Sequence, residues 1–565
     1  MIGANASPRR PTVWFALCTA LLCAACFDED PGAPALRFTD VTAAAGLGGC
    51  QYRSGATGKK WLPETMGPGV AFLDANQDDW PDIMLVGGGS ADPSIPGQTP
   101  AVQLFLNDRA GGFAPAPNQP GLASLRAYGF GFCAADHDND GDTDAVFTTL
   151  DGAYLLQNAD GKFEPSRLDL GRDPGWTGAA AFLDADADGK LDLLVSRYVD
   201  WSPGNDLYCS NTGTEKSYCT PEAYRGLSPV LLRNTGTGFA DVTAAAGLDG
   251  LPGKSLGATI LDYDGDGLTD LFVANDTERD LLLRNLGGGR FTEIGRRLGV
   301  AYDETGKTRA GMGVAAGYTD GPDQVSIFVS NFAREMIGAY RYADAGVFTD
   351  RAVISGIGPA SSPTLGFGMA LADLDLDGDL DLFVGNGHVH HSGLPDGTDV
   401  EQPPHLFVNN GSGEFVDVVP DGETGLSDPG LARGVAYADY DRDGDIDLLV
   451  ADNRGPVRLW RNDTATDSAS LRIHLQGTTA NRDGIGARIT VRSGQIRQQR
   501  LVSTCGSYQS GSEIAATFGL PQAANADIEI IWPGGSRQDL RGVPAGQAIV
   551  IKQGAPGYGV LDPGD

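Results

Sequence analysis

One nine-residue pattern, D-x-(D/N)-x-D-(G/D)-x-x-D, occurs six times along this chain and constrains its fold more than any other feature. The copies begin at Asp74, Asp136, Asp184, Asp262, Asp373 and Asp439. A run of small and apolar residues leads into each copy, as in Gly366-Phe367-Gly368-Met369-Ala370-Leu371-Ala372. A strand-like run leaves each, from Ile83-Met84-Leu85-Val86 after the first to Leu448-Leu449-Val450 after the last. The unit is strand, acidic loop, strand, and its recurrence along the chain marks a repeat architecture.

The loop chemistry points to a hard cation. Calcium takes six to eight oxygen ligands. Acids at positions 1, 3 and 5 of a tight turn present three side chains to its concave side, and the acid at position 9 closes the shell from the next strand. The candidate ligands are Asp74, Asn76, Asp78 and Asp82; Asp136, Asp138, Asp140 and Asp144; Asp184, Asp186, Asp188 and Asp192; Asp262, Asp264, Asp266 and Asp270; Asp373, Asp375, Asp377 and Asp381; and Asp439, Asp441, Asp443 and Asp447. An all-oxygen set argues against zinc or copper. The spacing is close to an EF-hand loop, but that loop ends in Glu at position 12 between helices. Position 6 needs positive φ, which glycine supplies. The first loop has Asn76 at position 3 and Asp79 at position 6; Asn keeps an oxygen, and Asp tolerates the left-handed region.

A seventh copy has lost its acids: Tyr318, Asp320, Pro322 and Ser326 stand at its ligand positions, so it is expected to fold but stay empty. After each loop comes Leu-x-x-Asn, then a glycine turn and a Phe strand, clearest from Leu232-Arg233-Asn234 to Phe239-Ala240-Asp241. The last copy breaks off at Asn462, whereas an unpaired Phe38-Thr39-Asp40 strand stands near the start. The expected fold is therefore all-β: a seven-bladed propeller over 36–465, its last blade completed by the N-terminal strand, plus a small β domain over 470–552 and a tail over 553–565. Leu471–Leu475, Ala487–Val491, Asp527–Trp532 and Gln547–Ile551 read as strands of that second domain.

The formal charge of −33 argues against nucleic acid as a partner, because phosphates need Lys and Arg. Arg9 and Arg10 precede an apolar stretch, Val13–Ala25, of signal-peptide length. It ends Leu22-Cys23-Ala24-Ala25-Cys26, which resembles a lipobox with Cys26 as the lipidated residue and Cys23 where Leu is usual. An ordinary cleaved signal is the other reading. Phe27 after the cysteine favours the outer membrane or cell surface, with 26–35 as a tether and the lipid as the sole membrane attachment. Removing residues 1–25 takes two arginines and no acid, leaving about −35. Export permits disulfides, and Cys209 with Cys219 in one turn-rich insert is the expected pair; Cys50, Cys133 and Cys505 are left over.

These loops and their flanks resemble the FG-GAP/VCBS repeats of the integrin-α type propeller. Leu62-Pro63-Glu64-Thr65-Met66-Gly67, Tyr218-Cys219-Thr220-Pro221, Gly311-Met312-Gly313 and Asn386-Gly387-His388-Val389 look like the cartilage-acidic-protein-like family. Asn481-Arg482-Asp483-Gly484-Ile485-Gly486-Ala487-Arg488, Phe518-Gly519-Leu520 and Ile531-Trp532-Pro533-Gly534-Gly535 are similar to the ASPIC/UnbV domain. Asn481–Arg488 reads first as a structural turn and second as a contact. No nucleophile elbow or phosphate-binding loop is present, and neither His388-His390-His391 nor a lone Glu64 makes a catalytic set. The expected function is an exported, calcium-binding, non-catalytic module for a protein or glycan partner. The alternative is an enzyme or accessory factor in secondary-metabolite or polysaccharide processing, with its site at the propeller channel.

Overall fold

The structure is a computed structural model, and it describes residues 35–52, 58–89, 91, 100–210, 213–343, 345–389 and 399–561, besides Met1 and Gly3. The signal sequence, Cys26, His390 and His391 lie outside the described residues. Among the described residues, no helix is long and apolar enough to cross a membrane.

Seven four-stranded antiparallel sheets follow one another along the chain. Their first strands are Val70–Leu73, Gly129–Ala135, Thr177–Leu183, Ser255–Leu261, Val314–Gly317, Gly366–Ala372 and Ala432–Ala438. We number the sheets 1 to 7 in that order. No sheet closes on itself. Instead, the first strand of each sheet packs on that of the next, and Ala432–Ala438 packs back on Val70–Leu73. These strands pack between those of the two neighbouring sheets, so all but the end of Val314–Gly317 are almost wholly buried and built from Gly, Ala and β-formers.

The fourth strands are short and half exposed, anchored by a buried leading phenylalanine such as Phe113, Phe291, Phe348 or Phe415. In sheet 7 that place is taken by Phe38–Asp40, which pairs with Val457–Asn462 in the register Phe38↔Asn462. The two ends of the repeat array are thus stapled in one sheet, leaving no unpaired third strand at the join.

The C-terminal domain stacks two more four-stranded sheets around Leu471, Ile489, Phe518, Ile530 and Trp532. Ser468–Gln476 and Gln547–Lys552 run parallel in one sheet, which extends past residue 552 to Gly559–Leu561. Arg488–Ser493, Ile496–Leu501, Ala516–Pro521, Asn525–Ile531 and Arg537–Pro544 complete the pair.

Candidate metal loops and the two faces of the propeller

Each acidic loop joins the first to the second strand of its sheet, so the six gather at one end of the propeller. Their backbone is shared. Position 6 has positive φ in all six, from 63° at Asp79 to 104° at Gly141 and Gly378. Position 4 is left-handed as well, although it holds Gln77, Asn139, Ala187, Gly265, Leu376 and Arg442. Two left-handed residues wrap the turn around the acids. The position-1 acid accepts the position-6 amide, as in Gly141 N to Asp136 Oδ2 at 2.8 Å and Gly189 N to Asp184 Oδ2 at 3.0 Å. The position-9 acid accepts the position-2 amide, as in Ala75 N to Asp82 Oδ2 at 3.0 Å.

These bonds leave part of the carboxylate shell unused. Buried oxygens of Asn76, Asp186, Asp262, Asp264, Asp375, Asp439 and Asp441 have no hydrogen-bond partner. Asp184, Asp186 and Asp188 bring one oxygen each within 4.8 Å of one another, and so do Asp262, Asp264 and Asp270, and Asp373, Asp375 and Asp377. A buried acceptor without a donor costs about 1–3 kcal/mol, more when charged. A divalent cation satisfies several such oxygens together, so the donor set fits calcium. The loop at 136–144 differs. None of its acids has a buried oxygen without a partner, and His137 at position 2 places Nδ1 2.5 Å from Asp144 Oδ2.

Electrostatics say the same. Burial, then the neighbouring acids, pushes Asp82, Asp192, Asp373 and Asp439 up to about 7 and Asp270 and Asp375 to about 8. Asp74 and Asp184 rise to about 6, and Asp381 and Asp447 well above the ordinary carboxylate range. Acids packed this closely take up protons unless a cation offsets their charge.

In the seventh copy, arginine stands where the others gather acids. Arg341 and Arg351 both pair with Asp320, and Thr319 Oγ1 donates to Ser326 Oγ at 2.9 Å in place of the position-9 carboxylate contact.

A residue type visible in the repeat, but with no role read from it, ties the loops together. In six of the seven sheets an Asn at the end of the third strand sends its amide to two carbonyls: position 8 of its own loop and position 2 of the preceding sheet's loop. Asn158 Nδ2 donates to Thr143 O and Ala75 O at 3.0 and 2.9 Å, and Asn285 to Thr269 O and Ala185 O at 3.1 and 3.0 Å. Asn234, Asn409 and Asn462 do likewise, and Asn107 reaches Tyr440 O of sheet 7 at 2.8 Å. Sheet 5 has Tyr342 at this place, stacked edge-on against Tyr263 with ring centroids 5.2 Å apart. The fixed offset of Asn from each loop was the signal in the sequence.

The C-terminal domain sits on this loop end. Arg472 Nε lies 3.1 Å from Asp439, Arg482 Nε 3.3 Å from Asp136, Arg488 Nη1 3.4 Å from Asp262 and Arg500 Nη2 3.6 Å from Asp373. All four acids are at loop position 1. From the same domain, residues 505–513 enter the channel. Ser507 N donates to Val314 O at 2.5 Å, Phe132 N to Gln509 O at 3.1 Å, and Gly511 N to Val70 O at 3.0 Å. Ser507 Oγ bridges Met369 N and Val435 O, and the fully buried Tyr508 reaches Met66 O at 3.1 Å. Gly69 and Gly131 give the segment room: a Cβ there would lie 1.8 and 2.0 Å from Gln509 O. Asn481–Arg488 is a turn that packs on the propeller: buried Asn481 holds Ile485 N and O at 2.8 and 2.9 Å, while Asp483 accepts Asp136 N at 2.8 Å.

The other end of the propeller, where first strands begin and second strands finish, collects the remaining motifs. Arg433, with no exposed surface, donates to Thr65 O and Gly387 O and stacks on Phe367, 3.8 Å from its centroid. Tyr218 Oη donates to Glu64 Oε2 at 3.1 Å, and Arg454 Nη2 to Tyr218 Oη at 2.7 Å. The disulfide Cys209–Cys219 holds the Tyr218 segment; Cys50, Cys133 and Cys505 are free thiols. His388 is buried, its Nδ1 accepting Val389 N at 3.0 Å.

Comparison with known proteins agrees with this architecture. Residues 136–195, 262–321 and 396–450 match the FG-GAP-like repeat, and 477–557 match ASPIC and UnbV. Cartilage acidic protein 1 of Homo sapiens is 26% identical over 341 residues, covering 56% of this chain and 43% of the relative. The Xenopus tropicalis protein of the same name is 26% identical over 344 residues, covering 56% and 45%. The chain therefore spans under half the length of the curated relatives it matches. A solved Agrocybe aegerita structure, described by its recognition of non-reducing terminal N-acetylglucosamine, aligns over 69% of this chain and 87% of its own at 16% identity and TM-score 0.40. The chain carries FG-GAP-like repeats and a C-terminal ASPIC and UnbV domain, and is similar to cartilage acidic protein 1.

Proposed function

We propose that this chain is an exported binding module whose propeller is stiffened by calcium in the six acidic loops, and that it engages a protein or glycan partner without catalysing a reaction. The observation that carries the reading is the set of buried, unpartnered ligand oxygens in five of those loops, with Asp136, Asp138 and Asp140 clustered in the sixth. The residues that would hold the ion are the acids at positions 1, 3, 5 and 9, with Asn76 in the first loop. When bound, calcium supplies charge neutralisation and a fixed loop shape. The partner face is the end bearing Glu64, Tyr218 and Arg454, since the chain's own C-terminal domain covers the loop end. Anchoring at the outer membrane or cell surface through Cys26 completes the proposal.

An enzymatic site at the channel is the competing reading, and Tyr508 and the bonds around Gln509 speak against it by occupying part of that space. The test is a screen of glycan arrays and exported proteins at about 2 mM calcium and in EGTA. Binding that is lost in EGTA and on Arg454→Ala supports the reading. Binding indifferent to both, or turnover abolished by Glu64→Gln at unchanged melting temperature, refutes it.

A further inference from the structure

We infer that the C-terminal domain is the propeller's own built-in ligand, and that its seat is held by the cation-loaded shape of the acidic loops. This rests on the calcium reading above. The domain does not touch the propeller at random: each of four arginines goes to the first acid of a different loop. Arg472 is the most enclosed, with Glu513 accepting two bonds of 2.7 Å on one side and Asp439 3.1 Å away on the other.

Backbone contacts add shape to charge. Gly519 N donates to Asp373 Oδ2 at 2.8 Å, Asp439 N to Glu513 Oε2 at 3.1 Å, and Arg500 Nη2 to Gly378 O at 3.1 Å. Arg482 N donates to Asn139 Oδ1 at 2.7 Å. These partners sit at loop positions 1, 4 and 6, the first acid and the two left-handed residues whose placement defines the turn.

A loop with four or five acids and no cation is driven apart by repulsion between like charges a few ångströms from one another. Its first acid and its turn amides then leave the places the domain recognises. Each cation adds +2 to a loop carrying at least −3, so a loaded loop stays negative and still attracts its arginine. Calcium and arginine therefore act together on the seat. The segment 505–513 reports the result, because its bonds to Val314, Phe132 and Val70 require the domain to be seated.

The test is hydrogen exchange on the full chain, with calcium chloride and then with EGTA, and with metal content measured on both samples. Removing calcium is expected to speed exchange of the 505–513 amides at least tenfold, while the domain's own core strand Asn525–Ile531 stays protected. The double variant Arg482→Gln, Arg488→Gln, which leaves the two most buried arginines in place, is expected to speed the same amides with calcium still bound. Calcium lost from the sample with 505–513 exchange unchanged within twofold overturns this inference and leaves the calcium loops standing. A chain that binds no calcium overturns both.

Discussion

Replacing Asn285 by Ala removes three hydrogen bonds from a site with 1% exposure: Nδ2 to Ala185 O, Nδ2 to Thr269 O, and Gly287 N to Oδ1 at 2.8 Å. It leaves two buried carbonyls and one amide to find new partners. A net hydrogen bond contributes about 1 kcal/mol, and a group stranded without a partner costs about 1–3 kcal/mol. Three such losses at a junction between sheets 3 and 4 come to about 3–5 kcal/mol, since a packed junction leaves little room for water to substitute. The control is Asn410→Ala, one residue past the equivalent Asn409. Asn410 is exposed and bonds only within its own turn, so its loss is expected to cost less than about 0.5 kcal/mol. Urea unfolding followed by tryptophan fluorescence and by circular dichroism, in calcium throughout, measures both. Equal midpoints for the two variants would refute the claim that these asparagines hold neighbouring sheets together.

Other consequences follow from the same geometry. The acids raised to about 6–8 in the metal-free chain lie far above the unfolded value of about 3.9, so their contribution to stability is present at low pH and lost as pH rises through 6 to 8. The melting temperature in EGTA is therefore expected to fall from pH 5.5 to 8.5, and the gain on adding calcium to grow; a gain that shrinks over that window contradicts the loop electrostatics. Asp375→Ala removes a ligand with a buried unpartnered oxygen and is expected to lower calcium content by one ion per chain, read by metal analysis. Tyr508→Ala empties a fully buried ring site in the channel and is expected to cost about 3–5 kcal/mol while calcium content stays the same.

Much of this architecture is legible in the sequence because the repeat is chemical as well as geometric. The acids at fixed spacing mark the turn between first and second strands. The stray Phe38 strand shows how the array joins its ends, and the observed register Phe38↔Asn462 pairs it with the residue at which the last repeat stops. Asp79 takes the left-handed conformation that its place in the motif demands, at φ 63°. Less legible was position 4, where Leu376 and Ala187 are left-handed although neither favours it; the surrounding turn imposes that conformation, and no local propensity signals it.

The docking of the C-terminal domain was illegible for a different reason. Arg472, Arg482, Arg488 and Arg500 sit in ordinary strands and turns, and only the fold brings them to four separate loops. Residues 505–513 carry no pattern of their own; they are specified by Gly69 and Gly131, more than 370 residues away in the chain, which leave space for Gln509. Convergence of Leu62–Gly67 and Asn386–Val389 on one end depends likewise on Arg433, and that of Tyr218–Pro221 on Arg454, both outside all three motifs.

The most direct test of the account is thermal unfolding of residues 27–565 with calcium, with EGTA, and with calcium or magnesium restored, alongside metal analysis. At about 2 mM calcium and a Kd of about 10⁻⁴ M, each filled site adds about 1.8 kcal/mol, so six filled sites dominate a net stability of about 5–15 kcal/mol. The account predicts several calcium ions per chain and a large fall in melting temperature in EGTA, reversed by calcium and not by magnesium. A chain that carries no calcium and melts at the same temperature in both buffers would contradict it.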